Sequence, residues 1–338
     1  MIFVRDRRTA RAGDPVMRED GEMQIVVLAG GIGGARYLIG VRELARQIDA
    51  DVTAIVNVGD DVTMHGLRIC PDLDSVMYTL AGAADAERGW GRTGETWVVK
   101  DELAKYGAEP TWFGLGDKDI ATHLVRTRML AAGNPLTKVV ETLCERWDTG
   151  IKLLPATNDR LETHVVVEDP ERAIHFQEWW VRYRAEIPAK RFVFVGADSA
   201  APAPGVLDAL THADVVLIAP SNPVVSIAPI LAVQKLRDTL ARGHAKVIGT
   251  SPIIGSAPVR GMADKCLAAL DVPVSAAGVG SLYGSRKAGG ILDGWLVDST
   301  DAGTSVDKVE VRATPLWMTD EKATAEMVSE ALKLAGVR

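Results

Sequence analysis

The stretch MQIVVLAGGIGGARYLIGV, Met23 to Val41, joins an apolar run to a helical pattern through four glycines in five positions, Gly30, Gly31, Gly33 and Gly34. The run reads as a buried parallel strand. Beyond the glycines, Leu38, Val41, Leu44, Ala45 and Ile48 recur at helical spacing, and DVTAIVNVGDD then reads as a second strand ending in polar residues. Strand, glycine turn, helix and strand together open a doubly wound α/β sheet.

Later runs repeat the pattern. DVVLIAP, HAKVIGTSP and GWLVDS each end in turn or polar residues, with helical segments between them, and a last helix is expected from about Thr319 to Leu334. Gly94 to Trp147 reads as helical, whereas 151–195 switches to short strand-like runs around HFQEWWVRYRAE. The expected fold is one α/β domain over 23–338, a Rossmann-like, mostly parallel sheet with a largely helical insertion at about 75–190. Residues 1–22 carry five arginines against five acids and no apolar centre. They read as a disordered extension, or as an over-called start ahead of Met23.

Composition narrows the function classes. A net charge of −7 argues against a nucleic-acid binder. The three cysteines, Cys70, Cys144 and Cys266, are far apart with no C-x-x-C pair, which fits a reducing cytoplasm. No apolar run approaches membrane-spanning length.

Sheets of this kind bind ligands at the carboxyl ends of their strands. Four loops stand there: Gly30–Arg36, Gly59–Asp74, Pro220–Ser226 and Thr250–Gly261. The first lacks the third glycine of G-x-G-x-x-G, having Arg36 there, and no Walker A box occurs. Its glycines still permit a phosphate to approach backbone at a helix N-terminus, with Arg36 as an added contact; a tight packing turn without a ligand is the plainer alternative. The second carries Asp60, Asp61, Asp72 and Asp74. If the intervening loop folds back, these carboxylates meet. Two of them about 4 Å apart repel by roughly 4 kcal/mol at an effective dielectric of 20. A hard cation, Mg²⁺, would relieve that; Asp61 and Asp74 are favoured for metal or substrate contact, while Asp72 reads equally as a helix N-cap.

His65 and Cys70, two lone soft ligands, read as a packed thiol and a hydrogen-bonded imidazole. Ser221, Asn222, Pro223 and Ser226, and the SPIIG turn with Gly255, form rigid polar strand ends able to hold a nucleotide. His123 is a candidate base or a carboxylate-bonded helical histidine. Trp179 and Trp180, near Arg182 and Arg184, could stack on a flat ring or fill the core of the insertion.

Taken together, LAGGIGGARYLIGV, VNVGDDVTMHGLRICPDLDSVMYTL, ERGWGRTGETW, WFGLGDKDIATHLVRT, AIHFQEWWVRYRAE, APSNPVVSI and SPIIGSAPVRGMAD resemble the CofD/FbiA family. These are the 2-phospho-L-lactate and, in actinobacteria, phosphoenolpyruvate transferases of coenzyme F-420 biosynthesis. The resemblance runs from Met23 nearly to the C-terminus. It implies a homodimeric, Mg²⁺-dependent enzyme acting on the deazaflavin Fo and a guanosine diphosphate carrying enolpyruvate or lactate, with GMP released; the wording of several motifs favours the enolpyruvyl donor. By the same resemblance Gly30, Gly31, Gly33, Gly34, Ser221, Asn222, Pro223 and the SPIIG loop hold the nucleotide. Asp61 and Asp74, with Asp60 and Asp72, hold Mg²⁺ and contact the ribityl hydroxyl. Asp74, His123, Arg126, Trp179 and Trp180 are assigned to the Fo side. Phe113 and Gly114 depart from the more basic archaeal pattern before the LGD triplet.

Two rival readings remain at this stage. A non-catalytic nucleotide sensor needs the glycine and SNP loops but not the acidic pair; a nicotinamide oxidoreductase is disfavoured by the broken fingerprint and by two acids followed by PDLD.

Overall fold

The computed structural model describes residues 22–168 and 170–337. Almost all of the expected N-terminal extension, 1–21, lies outside the described residues. From β1 (Met23–Ala29) the chain passes through α1 (Gly31–Ile48) to β2 (Ala50–Val56), then a hairpin of β3 (Val62–Met64) and β4 (Leu67–Ile69). Four helices follow: α2 (Pro71–Leu80), α3 (Val98–Lys105), α4 (Asp117–Ala131) and α5 (Leu136–Glu145). Then come β5 (Lys152–Pro155), β6 (Glu162–Val167), β7 (Arg172–His175), β8 (Ala189–Val195), β9 (Val215–Ile218) and β10 (Lys246–Thr250). The pair β11 (Ile253–Ile254) and β12 (Ala257–Pro258), strands β13 (Gly294–Val297) and β14 (Glu310–Ala313), and a helix over Glu321–Ala335 complete it.

Seven of these strands form one sheet in the order β14-β13-β10-β9-β1-β2-β5, every pairing parallel. Ile25 to Ala29 of β1 and all of β9 are buried, as expected of strands covered on both faces. From β1 the chain winds outward one way through β2 and β5, and from β9 the other way through β10, β13 and β14. The switch point lies between β1 and β9, and their carboxyl ends diverge to leave a crevice.

The expected single insertion is in fact two. The helical part ends before β5, which returns to the edge of the main sheet beside β2. A second excursion makes a separate antiparallel sheet, β7-β6-β8. Four residues with two leucines are too short a run to be told apart from a loop strand by pattern alone.

The acidic loop folds back through the β3–β4 hairpin. Its turn is His65-Gly66, both at positive φ (51° and 76°), which matches the twist of two paired strands. Met64 and Ile69 of the hairpin pack on Leu115, with Val62, Trp112, Phe113 and Ile120 around them. His65 is therefore a turn residue. Among the described residues no helix is long and apolar enough to cross a membrane.

Candidate active site

A cleft of about 1430 Å³ opens at the switch point, and all four expected loops contribute to its wall. Gly30 and Gly31 sit at its floor. Gly30 is extended and Gly31 has φ +63°, so the chain enters α1 through a backbone geometry that only glycine adopts freely. A Cβ on Gly30 would stand 2.5 Å from Asp72 Oδ2 and 2.8 Å from Ser226 Cβ. Ser221 clamps this turn from β9: its Oγ accepts from the Gly30 amide (3.2 Å) and donates to the Gly30 carbonyl (2.7 Å). Asn222 accepts the amides of Val224 and Val225 and so caps the π-helical turn Pro223–Ile227.

Gly30, Gly31, Gly33, Arg36, Ser221, Asn222 and Ser226 line the cleft. Gly34, Pro223 and Gly255 do not. Gly34 is buried where a Cβ would meet Ser221 Oγ at 2.6 Å, so it serves close packing of α1 on the β9 loop. Pro223 is buried in the capped turn, and the Gly255 amide donates outward to Asp301.

The four aspartates separate into two shells. Asp60 and Asp72 line the cleft, each about 5% exposed, and share the amide of the fully buried Asn57. Asn57 Nδ2 donates to Asp60 Oδ1 at 3.2 Å, to Asp72 Oδ2 at 2.9 Å and to the Val225 carbonyl at 3.1 Å. Among the described residues neither carboxylate has an ion-pair partner. Burial, and for Asp60 the neighbouring Asp72 charge, push both upward; Asp72 reaches about 6 although the Asn57 and Gly31 amides oppose the shift. Asp72 is not an N-cap: Cys70 holds that position and Asp72 lies in the first turn of α2.

Asp61 and Asp74 face inward to arginines. Asp61 is fully buried and off the cleft wall; its Oδ2 accepts from Arg68 (3.1 Å) and the Cys70 thiol (2.9 Å), and its carbonyl accepts from His175 Nε2 (3.2 Å). Placing Asp61 on a cleft-bound metal is therefore corrected. Burial lifts it to about 6 against the pull of Arg68 and Cys70. Asp74 lines the cleft, but both its oxygens accept from Arg126, one at 3.0 Å and the other in a shorter contact. Arg126 is 1% exposed and sits behind Asp74, away from the cleft; burial opposes its charge, yet Asp74 raises it further. The ring of His123 is fixed by the same arginine. A guanidinium can only donate, so His123 Nδ1 accepts from Arg126 (3.0 Å), and its proton lies on Nε2, 3.5 Å from Asp119 Oδ2. That arrangement leaves His123 no free lone pair to act as a base. Asp119 accepts from Tyr78 Oη at 2.6 Å and, despite burial, is held low by His123 and Tyr78.

Asp74, Asp119 and His123 could geometrically group around an ion, but Arg126 already supplies that cluster with a cation. Asp60 and Asp72 have none. Their donor set is all oxygen, on the wall of the cleft beside bare backbone, which fits Mg²⁺ better than a softer metal.

The far side of the cleft is aromatic. Trp90, Trp97, Trp112, Phe113 and Trp180 line it; Trp90 and Trp97 meet edge to face at 6.0 Å, and Lys100 lies over the Trp97 ring. Trp179 does not reach it. It is 1% exposed in the core, its Nε1 donating to the Ile187 carbonyl at 2.7 Å. Adjacent residues of the π-helical turn Glu178–Arg182 point to different sides, one into the core and one into the cleft. Sequence reasoning missed Trp90, Trp97, Trp112 and Arg260. The available signal was the crowding of tryptophans among glycines in GWGRTGETW and TWFGLG.

Residues 25–333 match the family described as 2-phospho-L-lactate transferase CofD. A phosphoenolpyruvate transferase of Nocardia farcinica is 62% identical over 320 residues, spanning 93% of this chain and 96% of its own. Another, from Thermobifida fusca, is 57% identical over 321 residues, spanning 93% and 98%. Among solved structures, protein BH3568 of Bacillus halodurans has a TM-score of 0.60 at 19% identity, covering 93% of this chain and 100% of that one; this likeness concerns fold alone. On the near-complete family match, and on relatives well above half identical, the chain belongs to the CofD family of 2-phospho-L-lactate transferases.

Proposed function

We propose that this chain transfers the phosphoenolpyruvyl group of enolpyruvyl-diphospho-guanosine to the terminal ribityl hydroxyl of Fo, releasing GMP and forming dehydro-F-420-0. The observation that carries the reading is the pair Asp60 and Asp72, buried, cation-free and set against the glycine turn. Mg²⁺ held by these two carboxylates would supply charge neutralisation to a diphosphate. The amides of the first turn of α1 beyond Gly31, whose own amide is taken by Asp72, would cradle the same group. Asp74, held in place by Arg126, accepts the hydrogen bond of the attacking hydroxyl and orients it. An O–P bond forms to the phosphorus bearing enolpyruvate, the P–O bond to GMP breaks, and the hydroxyl proton passes to the carboxylate. Such a transfer needs alignment and charge balance rather than a covalent nucleophile. The aromatic wall takes the flat deazaflavin ring by stacking.

The relatives named phosphoenolpyruvate transferase support the enolpyruvyl donor over the lactyl one. Exposed apolar side chains on α3, at its C-cap and on α4, Val98, Tyr106 and Leu124, offer surface for the homodimer that the family resemblance implies. Purified protein with Mg²⁺, Fo and either donor in parallel should yield GMP and a heavier, more acidic deazaflavin, faster with the enolpyruvyl donor. EDTA should stop the reaction. No new deazaflavin with either donor would refute the assignment.

A further inference from the structure

One part of the cleft wall is basic and is used by none of the contacts above. Arg36, in the second turn of α1, and Arg260, on the loop after β12, both line it. Among the described residues no carboxylate pairs with either guanidinium. They lie near enough that, after burial, the charge of Arg36 holds Arg260 below the usual arginine range. Arg260 is also seated: a Cβ on Gly89 would collide with its guanidinium, and the following Gly261 abuts Trp180. Two like charges lining one cleft wall, neither with a carboxylate partner, offer a place for an anion.

The donor in the reading above carries three anionic groups. Its two phosphates have receptors in the α1 amides and in the cation of the Asp60–Asp72 pair. The third group is a carboxylate, planar with two oxygens, the shape that a guanidinium fork matches. The remaining lysine or arginine on the wall, Lys100, lies over Trp97 on the aromatic side. We infer that Arg36 and Arg260 form the subsite for the donor's carboxylate, selecting nucleotides that carry a phosphorylated three-carbon acid over GDP itself. This rests on the transferase reading for the identity of the donor.

The test uses the full chain with Mg²⁺ and the variants Arg260→Gln and Arg260→Lys; Arg260 is exposed, so both should fold, and an unchanged circular-dichroism melting transition reports that they do. Calorimetric titrations compare phosphoenolpyruvate with inorganic phosphate, which lacks the carboxylate, and with GDP. The wild type should prefer phosphoenolpyruvate to phosphate by about tenfold or more. Arg260→Gln should abolish that preference with GDP affinity within about twofold, and Arg260→Lys should restore part of it. In turnover, Arg260→Gln should raise donor KM about tenfold with kcat little changed. A parallel fall in GDP affinity in both variants would assign the arginines to the diphosphate and overturn the subsite; so would an unaltered preference in Arg260→Gln. An inactive wild type that keeps the carboxylate preference would sink the transferase reading alone.

Discussion

Asp61 and Asp74 each meet a guanidinium, Arg68 and Arg126, whereas Asp60 and Asp72, one and two residues away, share only the amide of Asn57. Both shells come from one folded-back loop, and both are buried. The first is neutralised from within the chain. The second is left with negative charge and an opening to the cleft. Burial lifts Asp61 as it lifts Asp60 and Asp72, so what separates the aspartates that build the site from those that would hold a metal is the guanidinium partner.

Breaking the internal pair should have the largest effect. Arg126→Met strands the Asp74 charge in a buried position and should lower stability by about 3–5 kcal/mol in urea unfolding. Asp60→Asn, by contrast, removes repulsion and should leave metal-free stability equal or higher. A loss below about 1 kcal/mol for Arg126→Met would erase the distinction.

The next effect is pH-dependent. Asp72 titrates at about 6 in the folded chain against an ordinary 3.8. Between those values the folded state binds more protons than the unfolded one, so this group's contribution to metal-free stability falls as pH rises through that window, by about 3 kcal/mol in all. Mg²⁺ binds the ionised form. Its stabilising shift in melting temperature should be small near pH 5 and full near pH 8. An equal shift at both would place the metal elsewhere.

A smaller change sharpens the comparison sterically. Gly30→Ala puts a Cβ against Asp72 Oδ2 and Ser226, and should weaken Mg²⁺ binding by about tenfold and lower stability by about 1–3 kcal/mol while leaving the Asp74–Arg126 shell intact. Smallest of all, Trp90→Ala on the aromatic wall, 44% exposed, should raise KM for Fo by at most about tenfold with donor KM unaltered.

Much of this was legible in the chain itself. The apolar run before Gly30 and the polar ends of later strands place four loops at one sheet edge, and they do converge there. Which aspartate of each pair faces the cleft was not legible, because it depends on the hairpin turn at His65-Gly66 and on arginines that arrive from β4 and α4. Trp179 and Trp180 are equivalent in composition and differ only by the phase of a π-helical turn. Two quoted motifs are structural: Glu95 of GETW accepts the α4 amides of Lys118 and Asp119, while Asp117 of LGDKD accepts the α3 amides of Val98 and Val99. This reciprocal capping holds α3 and α4 together and is invisible to periodicity.

Calorimetric titration of Mg²⁺, with GDP present, into Asp60→Asn, Asp72→Asn and Asp61→Asn tests the central claim most directly. The first two should lose affinity by about 100-fold and Asp61→Asn by no more than about threefold. Full Mg²⁺ affinity in Asp60→Asn and Asp72→Asn, with the loss falling on Asp61→Asn, would contradict the account.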